Sequence, residues 1–525
     1  MKSYKEHLIS TKSFGEKVDL RRQPVYTGSA IFTVMNNKYL ETRILFMGYW
    51  LVKNKIDELG LLITLRDQKG TILHRESNQI VTASANEISL KKLLVQAKEV
   101  GEDFLGSIEL EVFSSRDLVF PYPAFVVNYY NMFGSSFVHS TGRVFKNIGD
   151  MSNDELHVKE CGFDILPGND LDPFFTFVNG YSRSKKSLLN IEIITGKDVV
   201  YEGVIDIGCI EPYEAKIVRF KDFLPVDEYL DGNVGTVKIG HNFTGFFPRF
   251  IAGNFIKSVG ALSITHTYYD NSDNDSESAY WKNENKELAH DSSVFVPLFI
   301  EDNWYTHLKL YPIYSPSKHY IHISFVDKSG VIIKTIKKFK LITTAFSEFI
   351  EIDFGSIVER LSLSKQDVKG AILIKEWEDK SKIPSRLKYG LNVGRRGLKF
   401  DLPTNICFAS QVSNIKLIEK KGAFKWFPIL NQGNSIAILE NSSFMKNYYS
   451  AASIVVTFYR NDEKTIEKNY LIPPNGQIRL EVDGEIKSFS CGDTIWATIK
   501  ADNPFVKAWY FEFNASGIMG GDHSF

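Results

Sequence analysis

The sequence predicts an all-β protein of four tandem antiparallel β-sandwich domains, and three observations carry that prediction. First, apolar and polar residues alternate with a period of two. Ile108, Leu110 and Val112 alternate with Ser107, Glu109 and Glu111, and Val237 and Ile239 with Thr236 and Lys238. This is the pattern of strands with one buried face and one wet face. Second, Phe 39, Tyr 24 and Trp 7 in 525 residues make a heavy aromatic load of the kind that suits strands. Third, a pattern of glycine, alternating strand, proline turn and second strand recurs four times, at a repeat of about 120–135 residues. The copies are GSIELEVFSSRDLVFPYPAF from Gly106, GTVKIGHNFTGFFPRF from Gly235, GAILIKEWEDKSKIPSRL from Gly370 and GDTIWATIKADNPFVKAW from Gly492. Their marker prolines, Pro121, Pro248, Pro384 and Pro504, follow the glycines by 15, 13, 14 and 12 residues.

Residues 1–24 read as a polar lead-in, and the domains as 25–145, 165–272, 292–408 and 422–525. Linkers fall at about 143–170, 270–292 and 403–422. Each unit opens on a short strand: AIFTVM at 30–35, FFTFV at 174–178, FVPLFI at 295–300 and FKWFPIL at 424–430. Second strands follow in YLETRILFMGYWL, WYTHLKLYPIY and NSIAILENSS. Next come hairpins at 61–73, 191–205, 322–333 and 453–471, where β-branched and aromatic residues flank turns of Asp, Asn, Lys or Gly. The glycine-led strands complete about seven strands per unit, the profile of an antiparallel sandwich. One stretch, 86–100, predicts a short helical connection. The layout resembles tandem immunoglobulin-like or fibronectin-like sandwiches over residues 25 to 525. That resemblance implies adhesion, carbohydrate binding, scaffolding or, in some members, catalysis.

Composition narrows the function classes. Lys plus Arg number 62 against 63 for Asp plus Glu, a net charge of −1 that offers no footprint for nucleic acid. No apolar run approaches the ~18 residues needed to span a bilayer, so membrane insertion is not expected. The first residues lack the apolar core of a secretory signal, and the four cysteines, Cys161, Cys209, Cys407 and Cys491, lack disulfide or zinc spacing. A cytoplasmic location, or export without an N-terminal signal peptide, is therefore expected. Phosphate-loop, dinucleotide, nucleophile-elbow and zinc-helix motifs are missing, so no cofactor is expected and no catalytic residue is assigned. DNDSESAYWKNE spaces its acids like a calcium loop, but Ser278 stands where the turn needs glycine, and a solvated linker is expected.

The candidate site residues come from the ends of the units. His139 and His266 each lie 18 residues beyond their marker prolines and His523 lies 19 beyond its own, each followed by Ser or Thr. In the third copy that region reads KFDLPTN, so the histidine is expected to be replaced and the unit to act as a spacer. Such an imidazole either holds a closing strand or faces a ligand or metal. Asp522 and Glu512 are expected near His523. Arg249 and Arg386 follow marker prolines, where they could grip a carboxylate or phosphate or simply pair with a local acid. In Tyr129-Tyr130, Tyr268-Tyr269, Tyr448-Tyr449, Trp304-Tyr305 and Trp509-Tyr510, one ring of each pair is expected to project outward. Lys334, Lys338 and Lys340 read as guards of an edge strand.

The leading expectation is a non-enzymatic binding or structural protein that presents repeated sandwich surfaces to a glycan or protein partner. Arg249, His266, Tyr268, Trp509, Asp522, His523 and His139 are the candidate contacts. The rival readings are a carbohydrate-active enzyme with a His/carboxylate site in the C-terminal unit, and a self-assembling surface or appendage subunit that forms homo-oligomers.

Overall fold

The computed structural model describes residues 25–99, 101, 103–120, 122–146, 159–270, 280–312, 318–343, 348–381, 383–384 and 388–525. The lead-in, Pro121, Arg386 and most of the calcium-like loop lie outside these residues. The described strands form ten antiparallel sheets. Eight of these fall into four pairs, consecutive along the chain and built to one plan.

In the first pair, one sheet runs in the order Tyr26–Asn36, Phe104–Ser114, Leu59–Asp67, Ile72–Ile80, and its mate in the order Ala85–Ser89, Glu41–Met47, Val126–Tyr130, Ser135–His139. The mates in the later pairs keep the order of this second sheet. They end in the edge strands Ala261–His266, Ile406–Ala409 and Met519–His523. Every expected hairpin is present, for example Leu59–Asp67 with Ile72–Ile80 and Ala452–Tyr459 with Thr465–Ile472. The two sheets of a pair share a core. In the second pair Ile191, Ile193, Val237 and Ile239 meet Phe175, Phe177, Val218 and Ala252.

The four pairs close into a cycle through one repeated contact. The first residue of an equivalent strand, or the one just before it, donates its N–H to the hairpin tip of the preceding pair. Ala215 donates to the Gln68 carbonyl, Phe349 to Gly196, Gln477 to Lys328 and Ala85 to Arg460. The last of these joins the fourth pair back to the first.

This closure overturns several sequence expectations. The polar face of the glycine-led strands is not wet: Ser107 and Thr236 are fully buried, and Glu109 is 1% exposed. Glu109 pairs with Arg66 at 2.8 Å, and Arg66 lies under the Tyr213 ring of the second pair. The neighbouring pair covers the face that alternation assigned to solvent. For the same reason Trp509 and Tyr510 are both buried, so neither ring of that pair projects outward. Tyr448 and Tyr449 do divide as expected, with Tyr449 82% exposed.

The 86–100 stretch divides into the strand Ala85–Ser89 and the helix Leu90–Gln96, capped by the Ser89 side chain at the Lys92 N–H. Equivalent short helices, Val226–Leu230, Phe354–Arg360 and Gly484–Ser490, follow in the other pairs and were not expected. Strands at Lys159–Cys161 and Asp164–Ile165, and at Ile406–Ala409 and Gln411–Val412, occupy parts of the expected linkers. The lysine-bearing strand Ile332–Ile342 lies at a sheet edge, as the guard reading requires.

Candidate functional site

The four equivalent edge strands meet at the centre of the cycle. Ser135–His139 lies against both Ala261–His266 and Met519–His523, and Ile406–Ala409 lies against the latter two. Pairing register identifies the equivalent positions. His139 stands opposite Val126, His266 opposite Ile251 and His523 opposite Trp509. The matching slot of the third pair is Cys407, opposite Gly390. The missing histidine is therefore a cysteine at 407, not part of KFDLPTN, which precedes the strand. Phe408 follows it where Ser140, Thr267 and Ser524 follow the histidines. The third pair is also more than a spacer, because Val294, Phe408, Ala409 and Gln411 line the central cavity.

The histidines converge. One ring nitrogen of each of His139, His266 and His523 lies within 4.8 Å of those of the other two. The His139 ring centroid is 4.8 Å from both His266 and His523, and the rings are nearly perpendicular. Each Nδ1 faces an oxygen: Asp522 Oδ2 at 2.8 Å from His139, the Thr267 carbonyl at 3.0 Å from His266 and the Ser524 carbonyl at 3.2 Å from His523. Asp522 also accepts the backbone N–H of His139 at 2.9 Å and that of His523 at 2.8 Å. Burial acts to raise this carboxyl, but His139 and His523 beside it hold it below the usual aspartate range. The His/carboxylate pair thus joins Asp522 to the imidazole of the first sheet pair. Glu512 is not part of it: its carboxylate binds Ser435 and the Gly433 N–H instead.

Burial, then Arg249 and His139, push His266 well below the ordinary imidazole value. Burial, then His139, brings His523 to about 4. Both rings are therefore neutral near pH 7. The Arg249 guanidinium lies 3.3 Å from His266 Nδ1 and over the Tyr268 ring at 4.6 Å. The Thr267 hydroxyl behind this pair donates to Glu160.

A cavity of about 590 Å³ opens beside the histidines, between the sheet pairs. Six of the seven residues singled out in the sequence line it: His139, Arg249, His266, Tyr268, Trp509 and His523. The seventh, Asp522, sits buried behind His139. The structure adds Lys53, Lys425 and Lys507 as cations, with Tyr49, Trp426 and Phe525 as apolar wall. Tyr49 stacks on Trp426 at 4.4 Å, and Lys53 lies over the same indole at 4.4 Å. None of the described lining residues has a carboxylate side chain. Burial, then Lys507, Lys53 and Lys420, lower Lys425 to about 8. Burial also lowers Lys507, while Glu440 opposite it in the sheet acts the other way. Sequence did hold a signal for these cations: Lys425 interrupts the otherwise apolar run AFKWFPI, and Lys507 the run VKAWYFEF, whose one other charge is Glu512. For Tyr49 and Lys53, in the short helix Tyr49–Lys53, there was none.

Compared with known proteins, the sequence matches no family model and no curated relative. No helix among the described residues is long and apolar enough to cross a membrane.

Proposed function

We propose that the protein is a binding protein whose ligand is a small anionic molecule with a flat ring, an acidic or phosphorylated sugar being the class that fits best. The observation that carries this reading is a cavity of about 590 Å³ lined by four cationic side chains, Lys53, Arg249, Lys425 and Lys507, and by no described Asp or Glu side chain. That volume suits a sugar-sized ligand. Lys425 and Lys507 are held below their usual basicity, and an anion between them would restore the charged form that burial disfavours. Trp426, Tyr268 and Trp509 give the wall aromatic surface beside the cations. The repeat positions face one central site, so the reading is of one ligand per chain.

The test is a calorimetric and thermal-shift comparison of uronic acids and hexose phosphates with their neutral sugars. An acidic ligand at about 100 times its dissociation constant adds roughly 2.7 kcal/mol of stability, and Lys53→Ala or Arg249→Ala weakens binding about tenfold or more, the loss of one charge-assisted hydrogen bond. Equal responses to neutral sugars, or silence across the acidic panel, would reject the reading.

A further inference from the structure

The three histidines pose a chemical question that the anion does not answer. Carbonyl and carboxylate oxygens only accept hydrogen bonds. A neutral imidazole whose Nδ1 faces one therefore carries its proton on Nδ1. His139 and His523 face only such an oxygen, through Asp522 and the Ser524 carbonyl, and His266 faces the Thr267 carbonyl at 3.0 Å as its nearer neighbour, with the Arg249 guanidinium at 3.3 Å. The nitrogen left over in each ring is Nε2, with its lone pair outward. No hydrogen bond among the described residues reaches any of the three Nε2 atoms. One ring nitrogen of each histidine lies within 4.8 Å of those of the other two.

We propose that His139, His266 and His523 form a three-histidine site for a zinc-class divalent metal ion, with Asp522 as its buried orienting carboxylate. Imidazole suits zinc and its neighbours among the transition metals. Metal-binding histidines characteristically donate their second ring N–H to a carboxylate or backbone carbonyl, and each of these rings already does so. Tetrahedral bonds of about 2.0–2.1 Å put ligand nitrogens roughly 3.4 Å apart. The rings, whose nitrogens now lie within 4.8 Å, need only a small inward rotation about side-chain torsions. Asp522 supplies fixed negative charge on one side and Glu160, behind Thr267, on the other. Both offset the Arg249 guanidinium that lies beside His266.

The fourth equivalent slot holds Cys407, which is not among the three residues whose ligand atoms converge, and Ala409, two residues on, lines the cavity. Three protein ligands with an open fourth position are the arrangement of zinc sites that take water or a ligand oxygen, in contrast to closed structural sites. The open position would face the same cavity as the cations. The metal site rests on the histidines and their acceptors and does not require the anionic ligand.

The experiment uses the full chain, stripped with chelator and kept in buffer without carboxylate or phosphate. Cobalt(II) is titrated in and followed by its visible absorption, with zinc as competitor. The expected result is one cobalt per chain with the intense visible bands of a four-coordinate ion, bleached by one equivalent of zinc. His139→Ala, His266→Ala and His523→Ala each abolish the bands, whereas His74→Ala, in the hairpin strand Ile72–Ile80, leaves them intact. His523→Gln, with its circular dichroism and melting point measured, separates loss of a ligand from loss of the fold. Asp522→Asn retains the bands but weakens binding about 10–100-fold, the usual cost of a lost orienting partner. Absence of stoichiometric binding by the folded parent, or bands that survive in any folded single-histidine variant, would overturn the site. Acidic sugars titrated into the same metal-free protein read the anion proposal separately.

Discussion

At the scale of single residues, Asp522 concentrates the most consequence in one side chain. It is 2% exposed, accepts two backbone N–H groups and the His139 ring, and lies beside the Tyr510 hydroxyl, whose acidity it suppresses together with burial. Asp522→Ala removes the acceptor from all of these at once and should destabilise the protein by about 3 kcal/mol, the cost of leaving several buried donors unsatisfied. Asp522→Asn keeps one acceptor oxygen and should cost less. Chemical denaturation of both variants checks the order, and equal losses would mean that the charge, not the acceptor, matters. The histidines were legible in the sequence because their offsets from the marker prolines stay at 18, 18 and 19. The fourth slot, Cys407, was not legible, because it lies 23 residues past Pro384. The connection between the strands Lys388–Arg395 and Ile406–Ala409 is longer there, and only pairing register restores the equivalence. The convergence of Asp522 on His139 spans 383 positions, which no local spacing encodes.

At the scale of elements, the hairpins and their tips show what sequence can and cannot specify. Alternating β-branched residues around Asp, Asn and Gly fix a hairpin locally, so all four were legible. The tip contacts were not, since they depend on a neighbouring pair. Gly70 and Gly330 occupy equivalent tips with φ of +87° and +82°, and an added Cβ would stand 2.2 Å from the Pro212 carbonyl oxygen and 2.1 Å from that of Pro474. Gly196, at the tip of the second hairpin, has φ of +55° but nothing within 4 Å of the same position. Gly196→Ala should therefore cost only the left-handed backbone term of about 1 kcal/mol. Gly70→Ala and Gly330→Ala should each cost clearly more, because backbone must move. Comparable losses in thermal melts of the three variants would show that the tips are not seated. A second expectation concerns the adjacent strands Trp304–Leu310 and Ile350–Asp353. Burial raises Glu351, yet hydrogen bonding to His307 and the charge of Lys309 bring it down to about 2. A folded-state value below the unfolded one stabilises the protein above the unfolded value of ~4.3 and loses that contribution as pH falls toward 2. Glu351→Gln should then show a smaller drop in melting temperature than the parent between pH 4.5 and 2. An identical drop would remove Glu351 from the acid response.

At the scale of the whole molecule, the repeat reads in sequence as four tandem units whose relative arrangement it leaves open, and the structure makes it a closed cycle. The difference is physical. Alternation reports whether a strand has two kinds of face, but not what covers the polar one. Here a neighbouring pair covers it, as Tyr213 covers Arg66. Closure also merges cores that a linear chain would keep apart. Buried side chains of the first and fourth pairs form one cluster, with Phe137 stacked on Tyr510 at 5.3 Å and Tyr49 on Trp426 at 4.4 Å. The third pair shares a second cluster with the fourth through Phe299, Phe511 and Phe513. Units that bury apolar surface against one another at roughly 25 cal/mol per Å² lose that stabilisation together when one unfolds. Scanning calorimetry should therefore resolve fewer transitions than the four expected of independent sandwiches. Trp426→Ala, which removes a ring packed against Tyr49 and Phe525, should lower the transition that includes the first pair as well as the fourth. Four separate transitions, with only one of them moved by Trp426→Ala, would mean that the pairs unfold as beads. The central cavity would then be only a place where they touch. Coupled melting, by contrast, would mean that the ligand site is bounded by units that stand or fall together, so that filling it should stabilise the chain as a whole.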